Sequence, residues 1–326
     1  STALSDKGDH KAADPLLRES LAMYRRLYPG DNAQTAVGIN DLGDLMNDQG
    51  DLKAAEALYR ESIAMNRRLF QGDHPETATS INNLAVALTA EGKLEEAEPL
   101  FRESLEMNRR LLPGDHQYVA GGINNLASVL EKLGRTVEAE TLQRETLAMR
   151  RRLFPDGHPY VATALNNLAL MLQGRDSKQA ESLFRESIAM RQRFYKGDHQ
   201  SIATDLSNLA ALLRTRGDLS AAEPLIRQGI SMYERTTGKG TWYLARARTV
   251  LARTLVGQKR YAAAEPEFIE AERVMATAQG IPKGKRRECI EWLVSMYEAW
   301  SKAEPSKSHD AQAAEWKTKL AALSAS

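Results

Sequence analysis

Residues 72–92 read Gly72-Asp73-His74-Pro75-Glu76-Thr77-Ala78-Thr79-Ser80-Ile81-Asn82-Asn83-Leu84-Ala85-Val86-Ala87-Leu88-Thr89-Ala90-Glu91-Gly92, and this stretch decides the fold. Ile81, Leu84, Ala85 and Leu88 fall at i, i+3, i+4 and i+7, the spacing of one buried helical face. Gly92 follows the last periodic residue, where a helix ends by turning into the left-handed region at no Cβ cost. A second pattern then begins. Leu94, Ala97, Leu100, Phe101, Leu105 and Met107 point inward, and Pro113-Gly114 stops it. The unit is therefore a pair of antiparallel helices, A and B, joined by a tight turn.

The unit returns along the chain. Gly72-Asp73-His74 comes back as Gly114-Asp115-His116, Asp156-Gly157-His158 and Gly197-Asp198-His199, with Gly30-Asp31-Asn32 before and Gly238-Lys239-Gly240 after. The intervals are 42, 42, 42, 41 and 41 residues. Small residues recur where helices must approach closely. In helix A they are Gly43, Ala85, Ala127, Ala169, Ala210 and Ala252. In helix B they are Ala55, Ala97, Ala139, Ala180, Ala222 and Ala264, with a third column of Ser62, Ser104, Thr146, Ser187 and Gly229. A larger side chain there overpacks the contact at a cost of roughly 1–3 kcal/mol. A repeat of this length implies a stacked array in which no unit buries its apolar face alone.

Composition bounds the function. The chain has 326 residues, and its 44 basic side chains almost cancel its 43 acidic ones. No global field draws it to nucleic acid or to an anionic membrane. No apolar run reaches the ~18 residues that would span a bilayer, and no secretory signal is visible. The one cysteine, Cys289, excludes an intramolecular disulfide framework and fits a reducing, cytoplasmic compartment.

The columns resemble the tetratricopeptide repeat, most closely the 42-residue form of kinesin light chains and of many bacterial proteins. Ile81-Asn82-Asn83-Leu84-Ala85, Gly92 and Ala97 carry the resemblance, which extends over about residues 1–280. It implies an all-α, right-handed superhelical solenoid with helices A on the concave side, and recognition of peptides or partner proteins. The expected organisation is an array over 1–280, opening on a truncated repeat over 1–30 and continuing through six full repeats. Closing helices follow over 281–326. Ala3-Leu4 and Gly8 match Ala87-Leu88 and Gly92, so Ser1 falls in mid-helix. On that reading the chain is a piece of a longer polypeptide, and its first face is open to self-association. Helices over 284–303 and 309–324, joined by Pro305-Ser306-Lys307-Ser308, would close the stack with Leu293, Met296, Tyr297 and Trp300. The segments Leu293–Trp300 and Ala313–Leu320 resemble the C-terminal ends of bacterial proteins in which such repeats follow a Ser/Thr kinase or another signalling domain.

Several columns have structural explanations. The histidines sit in successive inter-repeat loops roughly 10 Å apart, too far for zinc with ligands at about 2 Å, so no metal is expected. Asp73 and its equivalents are expected to cap helix A. Glu98 precedes Arg102 by four residues, a helix-supporting pair repeated at Glu56/Arg60, Glu140/Arg144, Glu181/Arg185 and Glu223/Arg227. Arg26, Arg68, Arg110, Arg152, Arg193 and Arg235 fall in last turns, where positive charge opposes the helix dipole. They lack the interleaved aromatics of a nucleic-acid surface. Met23, Met65, Met107, Met149, Met190 and Met232 read as core filling. No nucleophile–base set or glycine-rich phosphate loop appears, and neither catalysis nor a cofactor is expected.

Two features point to binding. Asn83, Asn125, Asn167 and Asn208 each precede the Leu-Ala pair of helix A, with Asp41 in the same place in the first full repeat. Asparagine is a poor helix former, but its amide both donates and accepts. The resemblance implies a ladder that grips a peptide backbone. The alternative is a bond to a neighbouring helix that only holds the stack together. Asn82, Asn124 and Asn166 sit one residue earlier. In the sixth repeat, Arg248 enters a column held elsewhere by Ile39, Ile81, Ile123, Leu165 and Leu206. Arg246 and Arg253 fall in columns facing the groove, with Arg214 approaching from the preceding repeat. They form either a carboxylate-binding pocket or a solvated end of the array.

The leading expectation is a non-catalytic scaffold for an extended peptide or protein, with an acidic ligand among the candidates. The alternatives are a regulatory or sensor region of a multidomain signalling enzyme and a self-assembly element.

Overall fold

The computed structural model describes residues 10–238, 240–277, 281, 284–307 and 309–324. The opening of the first repeat, read from Ser1, Ala3, Leu4 and Gly8, lies outside them, as do Lys239 and Ser308. The described residues form fifteen α-helices and one 3-10 turn, with no strand among them. Two compact units divide at Asp156 and Gly157. The first holds α1 (His10–Leu27) and the hairpins α2/α3 (Ala33–Asp48, Leu52–Leu69), α4/α5 (Pro75–Glu91, Leu94–Leu111) and α6/α7 (Gln117–Lys132, Thr136–Leu153). The second holds α8/α9 (Pro159–Leu172, Ser177–Phe194), α10/α11 (Gln200–Arg216, Leu219–Thr236), α12/α13 (Trp242–Gly257, Tyr261–Thr277) and α14/α15 (Lys285–Ala303, Asp310–Ser324). The 3-10 turn Pro305–Lys307 lies between the last two helices.

Each hairpin turns within a few residues. At the end of α4, Gly92 takes φ of 84°, and the Lys93 N–H reaches the Leu88 carbonyl at 2.9 Å. That bond closes the helix and delivers the chain directly into α5. The alanine columns do the close packing, with Ala85, Ala97, Ala127 and Ala139 fully buried. The third small column does more than save space. Ser62, Ser104 and Ser187 donate from Oγ to the carbonyls of Ala36, Ala78 and Ala162 at 2.9, 2.7 and 2.8 Å. Each hydroxyl thereby ties helix B to the backbone of its own helix A.

The helix starts correct the sequence reading. Asp73 and its equivalents do not cap helix A. The capping side chains belong to the next residue: Nδ1 of His74, His116, His158 and His199 accepts the N–H two residues on, at 3.3, 3.2, 3.2 and 3.1 Å. Asn32 does the same through Oδ1 at 2.9 Å. The aspartates instead pair with the arginine column of helix B. Arg68 meets Asp31 at 2.6 Å, Arg110 meets Asp73 and Arg152 meets Asp115 at 2.5 Å, and Arg235 meets Asp198. The i,i+4 pairs form as expected, Arg102 with Glu98 among them at 2.9 Å. Met65, Met107, Met149 and Met232 are buried as core, but Met23 on α1 is 46% exposed.

Candidate functional site

The asparagine column divides between the units. In the first, the amides form a continuous, one-directional relay. Gln143 Nε2 donates to Asn124 Oδ1 at 3.1 Å, and Asn124 Nδ2 to Asn125 Oδ1 at 3.5 Å. Asn125 Nδ2 donates to Asn82 Oδ1 at 3.0 Å, and Asn82 Nδ2 to Asn83 Oδ1 at 3.4 Å. Asn83 Nδ2 ends on Asp44 Oδ1 at 2.9 Å. Each donor polarises the next, so the chain runs toward the one carboxylate that can accept without donating. Asp44 also accepts from the Tyr59 hydroxyl at 2.7 Å. Burial pushes its carboxyl up to about 6, against those hydrogen bonds. Asp41 is half-buried in the same column, its carboxyl raised by burial and by nearby Glu76.

The relay therefore ties helix A of one repeat to helix A of the next. Asn82, Asn83, Asn124 and Asn125 are each half-buried, and each amide uses only part of its hydrogen-bonding capacity in the bonds above. In the second unit, Asn167 is half-buried and Asn208 is buried. Asn208 Nδ2 donates to Asn166 Oδ1 at 2.9 Å, and its Oδ1 accepts from Arg246 at 2.7 Å.

That last contact leads to a cavity of about 570 Å³ in the second unit. Helix α12 supplies Trp242, Arg246, Thr249, Val250 and Arg253 from one face, α10 supplies Asn208, Leu212 and Arg214, and α8 supplies Leu170. Met275 from α13 and Lys285, Glu288 and Trp292 from α14 complete much of the wall. Arg214, Arg246 and Arg253, separated in sequence, thus line one space. Arg253 lies over the Trp292 ring, its guanidinium carbon 4.0 Å from the ring centroid, a cation–π contact. Arg214 donates to Thr215 Oγ1 at 3.2 Å, while its buried Nε has no partner. Burial, with Arg253 beside it, pulls Arg214 down to about 10. Burial also lowers Arg253, with Glu288 pulling the other way.

Arg248, on the same helix, behaves differently. It pairs with Glu234 at 2.7 Å and Glu267 at 2.6 Å, so it is a structural ion pair. The recurrent histidines are spent on helix caps, and no group of three metal-ligating side chains gathers among the described residues. Trp292, Lys285 and Glu288 had no sequence signal as site residues, because they come from α14, outside the repeat register. Asn208 is a mixed case, since its column was visible but its service to Arg246 was not.

The geometry defines a helical-repeat protein whose second unit holds a cavity walled by tryptophans and arginines. The tetratricopeptide repeat family profile matches residues 2–68, 40–110, 118–193 and 171–235, and the chain belongs to this family. Comparison with curated protein sequences gives no match. Among solved structures, the fold is similar to BtubC (BKLC) from P. vanneervenii, 23% identical with a TM-score of 0.61 over 70% of this chain and 92% of that one. It is also similar to a Podosopora anserina putative kinesin light chain with nearly identical TPR-like repeats. There the identity is 21% and the TM-score 0.53, over 61% of this chain and 95% of that one. A Rap protein complexed with Competence and Sporulation Factor is 15% identical, with a TM-score of 0.57 over 98% of this chain and 93% of that one. No helix among the described residues is long and apolar enough to cross a membrane.

Proposed function

We propose that this chain is a non-catalytic protein-interaction scaffold that binds an extended peptide, or an extended segment of a partner protein, with an acidic group seated in the second unit's cavity. One observation carries the reading: Arg214, Arg246 and Arg253 converge on the cavity, and none of them forms an ion pair with a carboxylate of the described residues. Half-buried guanidinium groups are costly to leave without an anion, and a ligand carboxylate supplies it. Trp242, Trp292 and Leu212 offer apolar surface beside that anion. Asn208 holds Arg246 in place. In the first unit, Asn83 and Asn125, with Asp41 in the same column, offer a peptide backbone the donors and acceptors that their relay bonds leave over. Buried Cys289, whose thiol burial raises to about 12, suits a reducing cytoplasmic setting. The Rap protein's complex is consistent with a ligand-binding role for this fold.

Selection from a random peptide library on the intact chain tests the proposal. Enrichment of acidic residues is expected. It should be lost with Arg246→Ala/Arg253→Ala and kept with Arg227→Ala, which removes an exposed ion pair with Glu223. Selected peptides with no acidic bias, bound equally by both variants, would refute the cavity as the acidic subsite.

A further inference from the structure

The number of unmatched guanidinium groups says more about the ligand. Elsewhere in the second unit, inward arginines have their own carboxylates: Arg191 meets Asp205 at 2.9 Å, Arg248 meets Glu267 at 2.6 Å, and Arg286 meets Glu272 at 2.7 Å. The cavity breaks that rule three times in one space. Its one lining carboxylate, Glu288, is held by Lys285 at 2.8 Å. Counting Arg214, Arg246, Arg253 and Lys285 against Glu288 leaves a formal surplus of three positive charges (4 − 1) among the lining residues.

A single carboxylate is satisfied by one bidentate guanidinium. It would leave two of the three arginines unmatched. A phosphomonoester carries close to two charges at neutral pH and three strong acceptor oxygens, one for each guanidinium. Trp292 holds Arg253 through a contact of 4.0 Å to its ring centroid, which engages no carboxylate. Asn208 holds Arg246 by one terminal nitrogen and leaves the rest of its fork uncommitted by that bond.

We infer that the cavity is a phosphate-reading subsite: it takes a phosphorylated side chain of the bound peptide, with the phosphate among Arg214, Arg246 and Arg253 and the side chain's apolar part against the tryptophans. This rests on the peptide-binding reading above and specifies what that ligand must carry. Phosphorylation of the partner then switches binding on, because only the dianion matches all three arginines.

The test titrates the intact chain with phenyl phosphate, phenyl sulfate and benzoate at pH 7.5, by calorimetry and tryptophan fluorescence. Phenyl phosphate should bind about 10-fold or more tightly than either monoanion. At pH 5 it becomes a monoanion, its second pKa being about 6, and most of that margin should vanish. Arg214→Met and Arg253→Met should each weaken it about 10-fold or more, while Arg227→Ala leaves it unchanged. Arg246→Lys keeps the charge but loses the fork, and a smaller loss there supports the assignment even where a methionine variant fails to fold.

Benzoate binding as tightly as phenyl phosphate, with both lost in the arginine variants, would overturn the phosphate assignment and leave the acidic-ligand reading standing. No binding by any of these anions would sink both. Inorganic phosphate matching phenyl phosphate would make this a free-anion site. AMP binding more tightly, with adenosine competing, would make it a nucleotide site. Either result overturns a phosphopeptide subsite.

Discussion

Replacing Asp205 by alanine should destabilise the second unit more than removal of a surface charge does, and it should do so through its partner. Asp205 is 1% exposed, and Arg191, its ion-pair partner at 2.9 Å, is 7% exposed. The carboxylate also accepts from Ser187 Oγ at 2.5 Å, and Arg191 donates onward to Thr163 Oγ1 at 3.0 Å. Without Asp205, Ser187 keeps its bond to the Ala162 carbonyl, but Arg191 keeps a buried charge with no counter-ion. Breaking such a pair from one side costs about 3–5 kcal/mol. For a unit of this size each kcal/mol is worth roughly 2–4 °C, so Asp205→Ala should lower its melting temperature by roughly 6–20 °C. Arg191→Met added to Asp205→Leu should recover most of the loss, because two apolar side chains replace a pair whose desolvation nearly cancels its attraction. Circular dichroism melts of the intact chain, with hydrogen exchange on α10, read both effects. α10 also carries Asn208 and Arg214, so the single variant should weaken ligand binding where the double variant does not. A loss below about 1 kcal/mol for Asp205→Ala, or a double variant no better than the single one, would refute the reasoning.

Other outcomes follow from single contacts. A Cβ on Gly43 would meet the Tyr59 ring at 2.8 Å, so Gly43→Ala should cost roughly 1–3 kcal/mol in chemical denaturation. Adding Tyr59→Phe should relieve part of it, because the ring is then released from Asp44. His116→Ala should cost about 1 kcal/mol by removing a helix cap, while His116→Asn should be tolerated, since Asn32 caps α2 in the same way. Asp44 has a folded pKa of about 6, above its ordinary 3.8, so its contribution to stability is complete below 3.8 and lost as pH rises through 6. Asp44→Asn should therefore gain on the wild type between pH 4.5 and 7.5 in urea melts of the first unit. His199 is lowered by burial and by Arg191, so its contribution is present above the ordinary 6.5 and lost as pH falls below it. His199→Asn should flatten that acid limb.

The helices were legible because their signal is repeated. Periodicity inside each unit, and the same glycine and alanine positions across units, specify A–turn–B hairpins without tertiary information. The helix caps were misread by one residue, because aspartate is the stronger capper in general and Asp73 stood in view. The available signal was Pro75. Proline favours the first helical position, which makes the residue before it, His74, the cap. The asparagine column was legible as a column, but not the relay, because a hydrogen bond over 43 residues depends on how the hairpins stack. Arg246 and Arg253 were legible as departures from a pattern. Trp292 was not, because no repeated position predicts which residue of α14 meets α12.

This contrast explains where function can sit in such a chain. A repeat satisfies itself: Arg68 with Asp31, Arg110 with Asp73, Ser104 with the Ala78 carbonyl. Such positions hold the stack and have little left to offer a ligand. A ligand-directed group is one that the pattern introduces without its partner. Arg248 fails that criterion, because Glu234 and Glu267 arrive with it. Arg214, Arg246 and Arg253 meet it together, where a non-repeat helix, α14, supplies an aromatic wall and its one lining carboxylate, Glu288, is paired with Lys285. The cavity forms where the array stops repeating, and on the proposed reading the ligand brings the anion that the repeat pattern supplies elsewhere.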